Sequence, residues 1–331
     1  PFNLFILNFF TFSIFFGFIF KQLQKSNYKK IFFFYGWSFG FGYFLTNLYW
    51  VSISLTFDEN FSFLIPFAII IIPSFLALFY GLITLIFYLF NPKNVLSAFF
   101  AFSFLFGFIE FIRGTILTGF PWNLVIYSFS KSLNFLSILS VIGTYSLNLI
   151  VISFFTAPTI YILRKSKKEI GICIILLLLP IMFFVHGNFQ KKQFKDEEVN
   201  KISHTIRIIG SNISLNRFYK NIDTEAVINE LISISSPTPN KKMFFIWPEG
   251  IIPNTYQNEM HLYSNIFDKS FDENHLIGLG ITKKVFKGEE EQKFYNSFSI
   301  FDNKLNLIGN YNKVKLVPFG EFLPFEEFLN K

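Results

Sequence analysis

The chain has 331 residues, of which 52% are hydrophobic, 21% aromatic and only 15% charged, with 52 Phe. A soluble domain carries about 25% charge, and one of this size could not hide so many apolar side chains, so much of the chain is expected in lipid. The formal net charge of +7 lies wholly in residues 1–186, with 11 Lys and Arg against 4 Asp and Glu, while residues 187–331 hold 18 of each; basic residues confined to short loops between apolar runs argue against nucleic acid as a partner.

In chain order, six stretches are long and apolar enough, or nearly so, to cross a bilayer: 3–20, 31–52, 62–90, 95–112, 133–162 and 169–186. A hydrocarbon core about 30 Å thick asks for roughly 20 residues per helix. The runs are continuously apolar rather than alternating, which predicts helices, the form that satisfies its own backbone in lipid. The loops 21–30, 91–94 and 163–168 hold nine of the eleven basic residues, whereas 53–61 and 113–132 hold Asp58, Glu59, Arg113 and Lys131. The first set is therefore expected in the cytoplasm, and parity places residues 187–331 outside it.

Three features of this half stand apart from lipid filler. Glu110 and Arg113 lie three apart on one helix face, either as an intrahelical ion pair or as a polar contact for a lipid head group. The segment Thr118-Gly119-Phe120-Pro121-Trp122-Asn123 breaks the helix and sets a Trp at interface depth. Cys173 is the single cysteine, which excludes a disulfide framework and a Cys-based zinc site; surrounded by hydrocarbon, it reads as a small hydrophobe rather than a nucleophile.

From about residue 190 short apolar runs alternate with polar stretches. Strands are predicted at 206–210, 243–247, 275–280, 294–301 and 305–310, with helices over 222–235 and 257–270. The run from Lys287 to Lys293 reads as an exposed hairpin tip. Strands alternating with helices predict an α/β layered domain. The fold class expected is thus a polytopic α-helical membrane domain (1–186) followed by an extracytoplasmic α/β domain (187–331).

Three residues of the second half could do chemistry. Glu249 follows the apolar strand 243–247 directly, where α/β folds place reactive groups; Trp247 as an apolar wall would tune its carboxyl toward a general base, and a solvated turn carboxylate is the other reading. Lys313 and Glu321 are embedded in the unusually apolar run Tyr311-Asn312-Lys313-Val314-Lys315-Leu316-Val317-Pro318-Phe319-Gly320-Glu321. A fixed ammonium can stabilise an oxyanion and a carboxylate can hold it in place, while plain surface charge is the alternative. His186, His204, His261 and His275 are scattered without metal-binding spacing, and no phosphate-binding or GxSxG motif occurs.

Trp247-Pro248-Glu249, with Lys313 and Glu321 at these spacings, resembles the apolipoprotein N-acyltransferase family. So do Thr118 to Asn123, Glu110-Phe111-Ile112-Arg113, Ile208-Ile209-Gly210-Ser211-Asn212-Ile213 and Tyr295-Asn296-Ser297, all in the family's order. Gly250 stands where the family often has Thr or Ser, and Gly210 where it usually has Gln. The resemblance implies an extracytoplasmic domain of nitrilase-like αββα fold and a multi-pass protein of the Gram-negative inner membrane with its catalytic domain in the periplasm. It implies ping-pong acyl transfer from a phospholipid donor, through a Cys thioester, to the amino-terminal amine of a diacylglyceryl-modified apolipoprotein. Glu249 would be the general base, Lys313 the stabilising cation and Glu321 an auxiliary carboxylate, with no cofactor and no metal. The apolar residues 319–328 would help to hold acyl chains.

The nucleophilic cysteine would follow Lys331, and with Pro1 first and an apolar loop last, the expectation is a sequence incomplete at both ends and inactive as a fragment. Another membrane-attached nitrilase-fold amidase or acyltransferase, a transporter with an appended domain and a catalytically dead scaffold are the competing readings.

Overall fold

The computed structural model describes residues 5–25, 28–56, 59–116, 119–196, 204–210, 223–287, 291–317 and Glu321. Thr118, Ser211, Asn212 and Ile213, and residues 288–290, 318–320 and 322–331 lie outside them. The chain forms two compact units, Pro1–Glu198 and Val199–Lys331.

The first unit is helical: α1 (Leu7–Leu23), α2 (Lys29–Leu48), α3 (Ile65–Phe90), α4 (Val95–Arg113), two single turns α5 (Leu133–Leu136) and α6 (Leu139–Ile142), α7 (Thr144–Ile162) and α8 (Lys167–Asp196). Short 3-10 turns, Tyr49–Thr56 and Glu59–Leu64, join α2 to α3. Helix α3 ends where Asn91 turns left-handed (φ 46°) just before Pro92, and α4 restarts on an Asn94 cap whose side chain accepts from the Ser97 amide at 2.8 Å. The interior is aromatic. Phe12, Phe16, Phe102, Phe106, Phe155 and Tyr80 are fully buried, while Ile70, Ile71, Phe100, Phe104, Leu177 and Ile181 face outward, as lipid-facing residues do.

Among the described residues four helices are long and apolar enough to cross a membrane: Asn60–Phe90, Val95–Arg113, Thr144–Ile162 and Lys167–Asp196. Of the six predicted spans, the first falls short at 17 residues, and α2 is diluted by Gly, Tyr, Ser, Thr and Asn. The stretch 133–162 is not one helix. The chain breaks at Gly143, whose φ of +76° suits a residue without Cβ, so only Thr144–Ile162 retains spanning length. The last helix runs ten residues past the predicted end at 186, to Asp196.

The second unit is built on one five-stranded sheet in the order β1-β2-β3-β4-β5: β1 (Thr205–Ile208), β2 (Met243–Trp247), β3 (His275–Lys287), β4 (Glu291–Phe301) and β5 (Leu307–Asn312). The first three strands run parallel, linked through α9 (Thr224–Ser235) and then a 3-10 turn Gln257–Tyr263 leading into α10 (Ser264–Ser270). Strands β3, β4 and β5 are antiparallel. The predicted helix 257–270 is thus 3-10 in its first half and α-helical in its second, and the third strand extends to Lys287, pairing with Glu291 of β4.

Met243, Phe245 and Trp247 alternate into a core with Val227, Ile228 and Leu231 of α9 and Phe267 of α10, the period expected of a strand covered on one face. The opposite face carries Phe244, Ile246, Phe298 and Ile300, all half-buried, with Ile206 and Ile208 exposed at 53% and 75%.

Candidate active site

Strand β2 ends at Trp247 because Pro248 cannot continue the ladder, and the next residue, Glu249, emerges at the carboxyl end of a parallel strand. The turn is held down by the Gly250 amide, which donates to the Gly280 carbonyl at 3.0 Å. Gly280 has to be glycine for this approach: a Cβ there would lie 2.7 Å from the Glu249 Cα. Trp247 is turned into the core, its indole N–H donating to Ser235 Oγ at 2.9 Å and its ring against Phe267. The Glu249 side chain is 61% exposed. The apolar wall expected from Trp247 therefore does not enclose it.

Lys313 leaves the end of β5, where its amide donates to the Asn296 carbonyl at 2.8 Å and extends the β4–β5 ladder by one bond. Its Nζ lies 2.5 Å from Glu321 Oε1 and 3.8 Å from Glu249 Oε1. Glu321 is tied to the same spot through Val317: its amide donates to the Val317 carbonyl at 2.9 Å, and its Oε2 accepts from the Val317 amide at 2.8 Å. All three predicted residues are thus brought together, and Lys315, two residues from Lys313, is exposed.

The pairing shifts both titrations. The bond to Glu321 raises Lys313, with burial opposing it and Glu249 adding to it. Burial works against the Glu321 anion, but the bonds from Lys313, the Val317 amide and Asn296 together hold its carboxyl below the ordinary range.

The sequence presents Asn296 only within a strand motif. In the structure its Nδ2 donates to Glu249 Oε1 at 2.5 Å and to Glu321 Oε1 at 2.7 Å. The signal was present: Asn296 is polar on a β4 face whose next members are Phe298 and Ile300. The cluster opens on a cleft of about 290 Å³ lined by Glu249, Thr282, Phe294, Asn296, Leu316 and Glu321. An open carboxylate beside a fixed ammonium can take a proton while the ammonium stabilises negative charge developing next to it.

The other candidates are structural. Glu110 and Arg113 are 0% and 2% exposed, with Arg113 Nε 3.1 Å from Glu110 Oε2 and NH2 bonded to the same oxygen. The guanidinium also donates to the carbonyls of Phe120, at 2.6 Å, and Trp122, at 3.2 Å. The pair therefore clamps the Gly119–Trp122 loop from inside the helical unit and is closed to a lipid head group. Cys173 is buried, its thiol 3.6 Å from the Ala157 carbonyl. His275 bonds to the Asp272 amide and the Thr238 carbonyl. Among the described residues no group of three His, Cys, Asp or Glu side chains could hold a metal ion.

Fold and site together define a membrane protein with an α/β domain that gathers a carboxylate–lysine–carboxylate cluster at its strand ends. Comparison with known proteins shows what the chain is similar to. Residues 1–157 match the apolipoprotein N-acyltransferase N-terminal domain. The chain is 29% identical over 300 residues to the apolipoprotein N-acyltransferases of Brucella melitensis biotype 1 and of Brucella suis biovar 1, in each case covering 89% of this chain and 56% of the relative. It is 28% identical over 302 residues to that of Rhizobium rhizogenes, with the same coverage. These matches bear out the resemblance carried by the motifs, and they are too long to be confined to the helical unit. The chain spans about half the length of the curated relatives it matches.

Proposed function

We propose that the protein acts in N-acylation of apolipoproteins by a ping-pong route, and the observation that carries this reading is the meeting of Lys313 with Glu249 and Glu321, the two carboxylates that line one cleft, in a chain similar to apolipoprotein N-acyltransferases. Glu249 takes the proton of a cysteine thiol, and the thiolate attacks the ester carbonyl carbon of a phospholipid. Lys313 stabilises the oxyanion of the tetrahedral intermediate. As the intermediate collapses, the ester C–O bond breaks, the lysophospholipid alkoxide takes the proton back from Glu249, and a thioester remains. The free amine of the diacylglyceryl-cysteine then attacks the thioester, giving its proton to Glu249, and the amide forms as the thiolate leaves.

Glu321 holds Lys313 in place throughout. Cys173 is not the thiol, since it is buried within a spanning helix; as the resemblance implies, the nucleophile lies outside residues 1–331. The site is proposed to face the periplasm from the inner membrane, as the basic loops of the helical unit indicate, with an α/β domain beginning near the end of α8. An αββα sandwich is the arrangement that would cover the half-buried sheet face carrying Phe244, Ile246 and Phe298.

The reading is tested in membranes carrying the protein as its gene encodes it, by following a labelled phospholipid acyl chain onto the protein and then onto an apolipoprotein. Glu249→Gln is expected to block the first transfer by about 10²–10⁴-fold. Normal acyl-protein formation in that variant contradicts the assignment.

A further inference from the structure

Resting on the acyl-transfer reading above, we propose that Asn296 is the positioning residue of the cluster: its side-chain amide spaces the two carboxylates and leaves Glu249 Oε2 as the oxygen that takes the proton. The Nδ2 group carries two hydrogens, and both are engaged, one by Glu249 Oε1 at 2.5 Å and one by Glu321 Oε1 at 2.7 Å. The backbone carbonyl of the same residue accepts the Lys313 amide at 2.8 Å. One residue of β4 thus reaches every charged member of the site.

Glu249 Oε1 also faces Lys313 Nζ at 3.8 Å, so that oxygen is occupied from two sides. Among the described residues no hydrogen bond reaches Oε2. An uncharged double donor between the two carboxylates satisfies one oxygen of each and holds them apart. Turned the other way, the amide would set its oxygen against two carboxylates, so its orientation is fixed by its neighbours.

The backbone cannot slide to release this arrangement. Asn296 pairs with Thr282 of β3. On the other face of β4 a polar ladder from buried Ser297, Ser299 and Gln257 pins β5: Ser297 Oγ donates to Asn312 Oδ1 at 2.8 Å, and Gln257 Nε2 reaches Ser299 Oγ at 2.7 Å and Asn310 Oδ1 at 2.5 Å. The titratable groups facing Asn296 are Glu249 after β2 and Lys313 and Glu321 beyond β5, with Tyr295 lining the same cleft; Thr282, its neighbour on β3, carries no charge.

The experiment follows the rate of phospholipid-to-protein acyl transfer against pH in membranes carrying the protein as its gene encodes it, for Asn296→Ala, the near-isosteric Asn296→Asp and Glu249→Gln. Asn296→Ala is expected to lower the rate by about 10²-fold with the donor KM little changed, the signature of a misplaced reacting group. Its acid limb moves to higher pH, because a lost donor favours the protonated carboxyl. Asn296→Asp moves the limb further, since it adds a third carboxylate. A role limited to holding the fold would lower the rate at every pH and leave the limb in place, and that result for Asn296→Asp overturns the inference, as does a normal rate for Asn296→Ala. If Glu249→Gln acylates normally, the acyl-transfer reading itself falls; if Glu249→Gln is dead and the Asn296 limb is unmoved, only the role of Asn296 falls.

Discussion

Two parts of this chain pair a basic side chain with glutamate, and they use the pair in opposite ways. In the helical unit Glu110 and Arg113 are three residues apart on one helix and essentially without exposure. The guanidinium spends its remaining donors on backbone carbonyls of the loop it clamps. In the α/β domain Glu249 follows β2, Lys313 follows β5 and Glu321 lies in the loop beyond it; they are 61%, 35% and 21% exposed, and the two carboxylates line a cleft. Charge and proximity alone do not mark a site. What separates the two is whether an oxygen and an ammonium remain within reach of a substrate.

The largest effect that would sharpen this contrast is on stability in the helical unit. Arg113→Met strands the Glu110 carboxylate in an apolar interior, and breaking a buried pair costs about 3–5 kcal/mol. Thermal unfolding in detergent is expected to show a large loss, and the double variant Glu110→Leu with Arg113→Met is expected to recover part of it. An unaltered melting temperature for Arg113→Met would mean that the pair does not hold the loop.

The open cluster is expected to answer to pH instead. Glu321 is depressed when folded, so its contribution is intact at neutral pH and is lost as pH falls through its lowered value. Lys313 is raised, so its contribution persists until pH climbs past the ordinary lysine range. The protection of the Val317 and Glu321 amides against hydrogen exchange, after correction for the intrinsic base-catalysed rate, should therefore be flat across neutral pH and fall only in acid; protection that changes near neutrality would contradict the pairing. The smallest effect is that of Cys173→Ala, which should keep near-normal acyl transfer and lose about 1 kcal/mol of stability or less. Loss of acyl-protein with the fold intact would place the nucleophile inside the helical unit.

Much of this was legible in the sequence, for reasons that differ by element. Strands β2 and β3 announced themselves as apolar runs ended by Pro248 and by polar residues, and α9 by its apolar spacing. The reactive trio was legible because charged residues in an apolar loop are out of place. The break at Gly143 was not, since the apolar composition of 133–162 is the same whether it spans or turns. The clamp formed by Arg113 was ambiguous because its burial depends on where the Gly119–Trp122 loop folds back. Asn296 was seen without its role, which exists only through the pairing of β3, β4 and β5 that sets one amide between two carboxylates.

The most direct test of the central claim sets Lys313 against Lys315, two lysines of one loop with the same charge. Lys313 lies against both carboxylates, whereas Lys315 is exposed. With labelled phospholipid and membranes carrying the protein as its gene encodes it, Lys313→Met is expected to lower acyl-protein formation by about 10²–10³-fold, the loss seen when an oxyanion donor is removed, and Lys315→Met to leave it nearly unchanged. Equal and mild losses at the two positions would make the loop a basic surface and contradict the account.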